Sequence, residues 1–76
     1  METRPAAVAA VIEDRMRDKG LTQEALANGA GIPLTTLNRS LRGHRALDTS
    51  ELFRIADVLG VRASTLTREA ESRSAA

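Results

Sequence analysis

Apolar residues recur along this chain at the three- and four-residue spacing of an α-helix, and short polar or glycine-containing stretches separate the runs. No segment shows the alternation expected of a strand. The pattern predicts an all-α domain of five short helices, over residues 5–18, 23–28, 34–41, 49–59 and 63–71. The side chains predicted to face its core are Val8, Val11, Ile12, Met16, Leu26, Ala27, Ile32, Leu37, Leu41, Leu52, Ile55, Ala56, Leu59, Val61 and Leu66.

Capping signals locate several of the helix ends. Thr22 stands where the first turn of the second helix needs a side-chain acceptor for a backbone N–H. Asp48 followed by Glu51 three residues later predicts a capping box at the start of the fourth helix. Residues 28–31 contain two glycines and predict a break after the second helix, with one glycine in a left-handed conformation.

Composition narrows the classes of function. The 76 residues are enough for one small domain, predicted over residues 1–71, with a flexible polar tail at 72–76. With no Cys and one His, the chain lacks the residues for a metal cluster, and we expect no cofactor. No apolar run reaches the length of a membrane span or a secretion signal, so we expect no membrane contact and a cytoplasmic location.

Charge is distributed unevenly although the net charge is only +1. Residues 25–47 contain three arginines and no acid, whereas the segments on either side are each slightly negative. A polyanion such as a nucleic acid backbone would therefore be attracted to the middle of the chain. Phe53 is the only aromatic residue, which argues against binding single strands by stacking bases on exposed rings.

The run from residue 23 to residue 43 predicts two short helices joined by a tight turn. Its residues, and the later segment 52–61, resemble the phage repressor and Cro helix-turn-helix family, often called XRE or lambda-repressor-like. The resemblance covers residues from about 8 to 70 and predicts a compact five-helix lambda-repressor-like domain. The residues of the run that carry it are Gln23, Ala27, Gly31, Ile32, Leu37, Arg42 and Gly43.

The resemblance assigns base reading to the third helix, on the faces left outward when Leu37 is buried. The residues at the family's base-reading positions are Leu34, Thr35, Asn38 and Arg39. Arg39 can donate two hydrogen bonds to guanine, and Leu34 and Thr35 can contact the methyl group of thymine. Asn38 can reach adenine or only a phosphate. Leu34 is less polar than the residue often found there, and it could instead pack on a neighbouring loop or a dimer partner.

A second group of residues is predicted to hold phosphates and set the register on the duplex. Gln23 and Thr36 take this role from the resemblance, and the others flank the two helices. Alternatively, Gln23 could only close the second helix, Thr36 could bond back within its own helix, and His44 could be an ordinary solvated residue. The full set is Thr22, Gln23, Thr36, Arg42, His44 and Arg45.

These expectations favour a sequence-specific regulator of transcription that binds double-stranded DNA, resembling Cro-like phage or bacterial repressors. It would act as a homodimer on a palindromic operator, with no small-molecule ligand. Candidate pairing surfaces are Phe53, Val58 and the fifth helix, although Phe53 could equally be core. The alternative is a protein-interaction module of the same fold, such as an antitoxin, an antirepressor or an adaptor. An enzyme is not expected, because no nucleophile–base pair or phosphate loop is present.

Overall fold

The computed structural model describes residues 3–75. Within that range the chain forms five α-helices and no strand, so the prediction of an all-α five-helix domain is confirmed. The third and fourth helices have the predicted bounds, and the other three are longer than predicted. The helices are α1 (Arg4–Lys19), α2 (Gln23–Ala30), α3 (Leu34–Leu41), α4 (Thr49–Leu59) and α5 (Ala63–Ala75).

Side-chain caps begin α2 and α4 where the sequence predicts them. Thr22 Oγ1 accepts a hydrogen bond from the backbone N–H of Ala25 at 3.1 Å. At α4, Asp48 Oδ1 accepts from the N–H of Glu51 at 2.7 Å, and Glu51 Oε1 accepts from the N–H of Asp48 at 2.9 Å. The predicted capping box is therefore confirmed, and it satisfies two N–H groups that the first helical turn leaves without partners.

The end of α2 lies two residues beyond the predicted one, because the helix continues through Gly29 to Ala30. Gly31 then takes the left-handed conformation, with φ of +66°, as predicted for one glycine of this segment. Gly29 remains helical and serves close packing instead. A Cβ at that position would lie 3.0 Å from Cγ2 of Val58 on α4, so the missing side chain lets α2 approach α4.

The core is aliphatic and lies where all five helices meet. The helix α1 packs against α3 and α5, while α2 packs against α3 and α4. Most residues predicted to face inward are buried, and Val8, Leu52 and Val61 are half-buried at the edge of the core. The largest fully buried side chains are Val11, Ile12, Leu26, Leu37, Ile55, Leu59 and Leu66.

The predicted end of the fifth helix at residue 71 is wrong, because α5 continues to Ala75. Two ion pairs hold α5 against α1, Arg15 with Glu69 and Arg73 with Asp14. The hydrogen bond and charge of Glu69 raise the pKa of Arg15 above its ordinary value. Residues 72–75 of the predicted tail are thus helical, and residue 76 lies outside the described residues. The flexibility of the tail and the domain boundary remain predictions.

The two side chains considered for a pairing surface have different surroundings. Phe53 is 57% exposed, so the alternative in which it belongs to the core is wrong. Val58 is half-buried and contacts the Gly29 position of α2. Of the two, only Phe53 offers a large apolar surface to solvent.

Candidate nucleic-acid interface

The helices α2 and α3 form a rigid pair because their facing residues are buried together. Leu26 of α2 and Leu37 of α3 are both completely inaccessible to solvent. In the turn between the helices, the N–H of Ile32 donates to the carbonyl of Ala27 at 3.0 Å. With Leu37 fixed in the core, the opposite side of α3 points outward over its full length.

A side chain of α4 also holds the turn. Arg54 Nη1 donates to the carbonyl oxygens of Ala30 at 3.0 Å and Gly31 at 3.3 Å. These carbonyls lie at the end of α2, where a helix lacks intrahelical donors and favours a cation. Arg54 therefore ties α4 to the end of α2 and to the first residue of the turn. Nothing in the sequence signalled this contact, because the partners are more than 20 residues apart.

The four predicted base-reading residues lie together on the outward side of α3. Leu34, Thr35 and Arg39 are exposed, and Asn38 is half-buried between α3 and α2. All four line one shallow groove that also includes the first turn of α2. We call this surface, Leu34, Thr35, Asn38 and Arg39, the α3 patch. It offers an apolar end at Leu34 and a cationic end at Arg39.

A side-chain hydrogen bond links the α3 patch to the start of α2. Asn38 Nδ2 donates to Gln23 Oε1 at 3.0 Å. The bond restrains both amides and leaves the Gln23 amide N–H groups free to donate to a ligand. Thr22, rather than Gln23, supplies the side-chain cap of α2. The Gln23 side chain thus contacts α3 in this structure, and its contact with phosphate remains a prediction.

Glu24 also lines the groove beside the α3 patch, and sequence reasoning missed it. Its exposed carboxylate stands one residue before the acid-free segment 25–47. The charge count along the chain grouped Glu24 with residues 1–24, whereas the fold places it in the same groove as the α3 patch. A carboxylate here repels phosphate and can accept a hydrogen bond from the amino group of cytosine.

The predicted phosphate-binding residues fall into exposed and enclosed groups. Thr22 is exposed, and because its oxygen accepts from a backbone N–H, its hydroxyl proton remains available to a phosphate. Arg42 and His44 are exposed directly after α3, and Thr36 is half-buried on α3. Arg42 lines a separate groove formed with α1.

Arg45 differs from the others because its guanidinium turns toward the protein. Nη1 donates to Ser40 Oγ at 2.9 Å, and Nη2 donates to Glu51 Oε2 at 3.0 Å. The Ser40 residue is buried, and the Glu51 side chain is only 9% exposed. The structure thus uses Arg45 to join the end of α3 to the start of α4. Arg39 and Arg42 are left as the exposed arginines of the middle segment.

The described residues contain no group of His, Cys, Asp or Glu that could hold a metal ion. None of the described helices is both long and apolar enough to cross a membrane.

Comparison with known proteins agrees with the geometry of α2 and α3. A family model described as helix-turn-helix matches residues 12–66, which is more than half of the chain. Two crystal structures of the clp gene regulator ClgR from Corynebacterium glutamicum have the same fold. The first has a TM-score of 0.90 at 23% identity and covers 96% of this chain and 78% of that one. The second has a TM-score of 0.87 at 22% identity and covers 96% and 95%. Among curated proteins, no sequence gives a significant match.

Proposed function

Since this chain belongs to the helix-turn-helix family, we propose that it is a sequence-specific regulator of transcription that binds double-stranded DNA. The observation that carries the proposal is the α3 patch, four adjacent side chains on the outward side of a helix whose other side is buried. The major groove of B-DNA admits one α-helix, and it displays a distinct pattern of donors, acceptors and methyl groups for each base pair.

The side chains of the α3 patch differ in chemistry, and each suits a different group on the DNA. The exposed guanidinium of Arg39 matches the two acceptors of guanine. Leu34 and the methyl group of Thr35 suit the methyl group of thymine. Asn38, restrained by Gln23, presents its remaining amide groups to adenine or to a phosphate. The preferred half-site would accordingly contain a guanine beside one or more thymines.

The flanking side chains provide the contacts to the backbone of the duplex. The phosphate contacts that we propose are the hydroxyl groups of Thr22 and Thr36, the Gln23 amide, Arg42 and His44. They lie on α3 or next to an end of α2 or α3, so phosphate contacts from them could orient α3 without carrying sequence information. We leave Arg45 out of this set because its guanidinium is already bound to Ser40 and Glu51.

A homodimer on a palindromic operator is the arrangement that we propose for this domain. One domain offers few base contacts, and two copies bound about one helical turn apart, roughly 34 Å, double the sequence that is read. Occupying an operator can by itself exclude polymerase, so repression is the simplest mode of action. ClgR is named a clp gene regulator, and a role in gene regulation for the present chain is part of this proposal. Such a role would operate in the cytoplasm and involve no catalysis.

Two features favour a second candidate, a protein-interaction module of the antitoxin, antirepressor or adaptor kind. Leu34 at the start of α3 is 44% exposed, and among the described residues only Phe53 is another exposed large apolar side chain. Glu24 beside it lowers the positive potential of the groove. Both would suit a protein ligand with an apolar contact and a basic residue.

Selection of binding sites from random duplex DNA distinguishes the two candidates. If the protein is a regulator, repeated rounds enrich one short sequence, present as an inverted repeat. Its affinity for that sequence should fall steeply with salt, as counterion release requires. The protein-interaction candidate is favoured if no sequence is enriched and low-salt binding assays detect no complex with duplex DNA.

A further inference from the structure

We propose that Arg54 of α4 is a positioning residue for DNA reading, which holds the turn before α3 so that Leu34 and Thr35 meet the bases. Arg54 itself would contact no base. The inference rests on the function proposed above and deepens it. It assigns part of the sequence preference of the α3 patch to a residue that lies outside both helices of the motif.

The guanidinium of Arg54 supplies donors to carbonyl groups that the turn itself leaves open. Backbone N–H groups of the turn donate to the carbonyls of Ala27 and Asn28. Beyond these, Arg54 Nη1 donates to the carbonyls of Ala30 at 3.0 Å and Gly31 at 3.3 Å. The last turn of α2 contains no basic residue, so Arg54 provides from α4 the cation that a helix C-terminus favours.

Two side chains of α4 contact the end of α2 together. Arg54 and Val58 are four positions apart, so they lie on the same side of α4. A Cβ at Gly29 would lie 3.0 Å from Val58 Cγ2, and a Cβ at Gly31 would lie 3.4 Å from Arg54 Nη1. Arg54 Nε also donates to the carbonyl of Ser50 at 3.4 Å, which restrains the guanidinium on its own helix. The turn is therefore held by a neighbouring helix as well as by its own backbone.

The first turn of α3 has little local restraint. Its N-cap residue, Pro33, makes no side-chain hydrogen bond, whereas α1, α2 and α4 each begin with one. The helix has eight residues, fewer than the roughly 12–15 that an isolated helix needs. Leu37 and Leu41 bury its later part, but Leu34 and Thr35 at its start are exposed. The position of this start therefore depends on the turn before it.

Loss of Arg54 should affect one end of the α3 patch more than the other. Gly31 stands three positions before Leu34, so displacement of the turn moves the start of α3 directly. Arg39 comes after Leu37, which is completely buried and anchors that part of the helix. Contacts that discriminate bases require groups held to within about 0.5 Å. The base pairs read at the start of α3 should thus lose discrimination first.

Two other roles for Arg54 predict different results. Arg54 is exposed, and its Nη2 takes part in none of the three bonds, so it could contact a phosphate. A phosphate contact raises affinity for all sequences alike and steepens the salt dependence. Alternatively, the bonds could only stabilise the fold, which would leave the DNA binding of the folded protein unchanged. Positioning instead predicts a lower sequence preference at an unchanged salt dependence.

Binding of Arg54→Met to the selected operator and to random duplex DNA distinguishes these roles. Methionine keeps the length of the side chain but removes its charge and its donors. Measured by fluorescence anisotropy well below the unfolding midpoint, the preference for the operator should fall about fivefold or more. The loss should lie at the base pairs whose preference Leu34→Ala also relaxes. The slope of log affinity against log salt should not change.

The matched control is Arg68→Met, because Arg68 is an exposed arginine of α5 with no ion pair to another of residues 3–75. It should keep the wild-type preference. If Arg54→Met keeps its preference while the salt slope falls by about one, Arg54 contacts phosphate and the proposal is wrong. Lower stability in urea with wild-type preference and salt slope would equally refute it, since Arg54 would then only stabilise the fold.

Amide hydrogen exchange of the whole chain without DNA tests the hold on the turn separately. The N–H of Ile32 bonds within the turn, and the N–H of Leu37 makes the first backbone bond of α3. Both should exchange faster in Arg54→Met. The N–H of Leu26, which bonds at the far end of α2, should be much less affected. Equal acceleration at all three positions would indicate only a loss of global stability and would contradict the proposal.

Failure of this proposal can be told from failure of the proposed function. If site selection enriches an operator and Arg54→Met retains the wild-type preference for it, the function stands and the positioning role fails. If site selection enriches nothing, the proposed function fails and with it the role of Arg54 in reading. The exchange measurement then still reports whether Arg54 holds the turn.

Discussion

Asn38 of α3 donates a hydrogen bond from Nδ2 to Oε1 of Gln23, the first residue of α2, at 3.0 Å. The two side chains were assigned to different tasks by sequence, one to bases and the other to phosphate. The hydrogen bond makes them a unit, because moving either amide changes what the other presents. Affinity for DNA should therefore depend on the pair and not on the two residues separately.

We predict that Gln23 and Asn38 are energetically coupled in DNA binding. In a double-mutant cycle with Gln23→Ala and Asn38→Ala, the losses of binding free energy should fail to add by at least about 0.5 kcal/mol. The measurement is operator affinity by fluorescence anisotropy for the wild type, both single variants and the double variant. Additive losses would show that the hydrogen bond does not orient either group on DNA.

Gln23→Glu is a useful companion to that cycle. Glutamate keeps an acceptor for Asn38 but replaces the amide donor with a negative charge. Affinity should fall on all sequences alike, while the base preference near Asn38 should survive. Loss of base preference in this variant would assign Gln23 itself to base reading.

Arg39 is predicted to make the main sequence-specific contact. Arg39→Ala should cost about 1–3 kcal/mol of operator binding and relax the preference at one base pair. Arg39→Lys retains the charge but not the forked geometry, so non-specific affinity should recover while the base preference does not. Titration of the selected operator and of its single-base variants measures both effects. Unchanged affinity and preference in Arg39→Ala would remove Arg39 from the proposed site.

The neighbouring arginines Arg42 and Arg45 are predicted to have different roles. Arg42→Ala should leave stability unchanged and reduce by about one the slope of log affinity against log salt. Arg45→Ala should lower the free energy of unfolding by about 1–2 kcal/mol, because the Glu51 carboxylate, which is largely out of solvent, loses its partner. Arg45 is itself 30% exposed, which keeps the loss below that of a fully buried pair.

Urea denaturation and salt-dependent DNA binding, both measured on both variants, check this division. Arg42 and Arg45 are three positions apart and carry the same charge, so each variant is the matched control of the other. If Arg45→Ala leaves stability unchanged and flattens the salt dependence, Arg45 contacts phosphate as the sequence had predicted.

Gly29 is predicted to be required for the packing of α2 on α4. Alanine is the better helix former by about 1 kcal/mol, yet its Cβ would lie 3.0 and 3.4 Å from the two methyl groups of Val58. A β-branched side chain cannot rotate both methyl groups away, so Gly29→Ala should destabilise the domain by about 1 kcal/mol overall. Thermal or urea unfolding measures the change.

In a Val58→Ala background, we expect the effect of Gly29→Ala on stability to have the opposite sign. With the valine methyl groups removed, Gly29→Ala gains its helix propensity without the clash, and it should stabilise the protein. A stabilising effect of Gly29→Ala in the wild-type background would mean that the two helices separate easily. The close approach would then not constrain residue 29.

The accuracy of the sequence predictions depended on how far apart along the chain the interacting residues lie. The start of α4 was predicted because Asp48 and Glu51 are three positions apart and cap each other locally. The end of α5 was missed because its last turns are held by Arg73 and Asp14, which are 59 positions apart. A short polar sequence such as residues 72–75 carries no local sign of such a partner.

In the candidate site too, features set by residues close in sequence were predicted, and features set by residues distant in sequence were not. Helical periodicity predicted that burying Leu37 turns the opposite side of α3 outward, because the pitch of a helix sets which residues share a side, and the family resemblance assigned base reading to residues on that side. Periodicity says nothing about loops, so it could not show that Arg45 turns back to Glu51. It also could not place Glu24 in the same groove as Arg39, since these two residues belong to different helices.

The sequence by itself determined the number and order of the helices, the caps of α2 and α4, the aliphatic core and the outward side of α3, because each depends on spacing within a few residues. The tertiary structure decided which side chains bond to other parts of the domain and which remain free to contact a ligand. It paired Arg45 with Glu51, used Arg54 to hold the turn, joined Asn38 to Gln23, and left Phe53 in solvent. These outcomes depend on how separate helices meet, and side chains distant along the chain become partners only when the core brings their helices together.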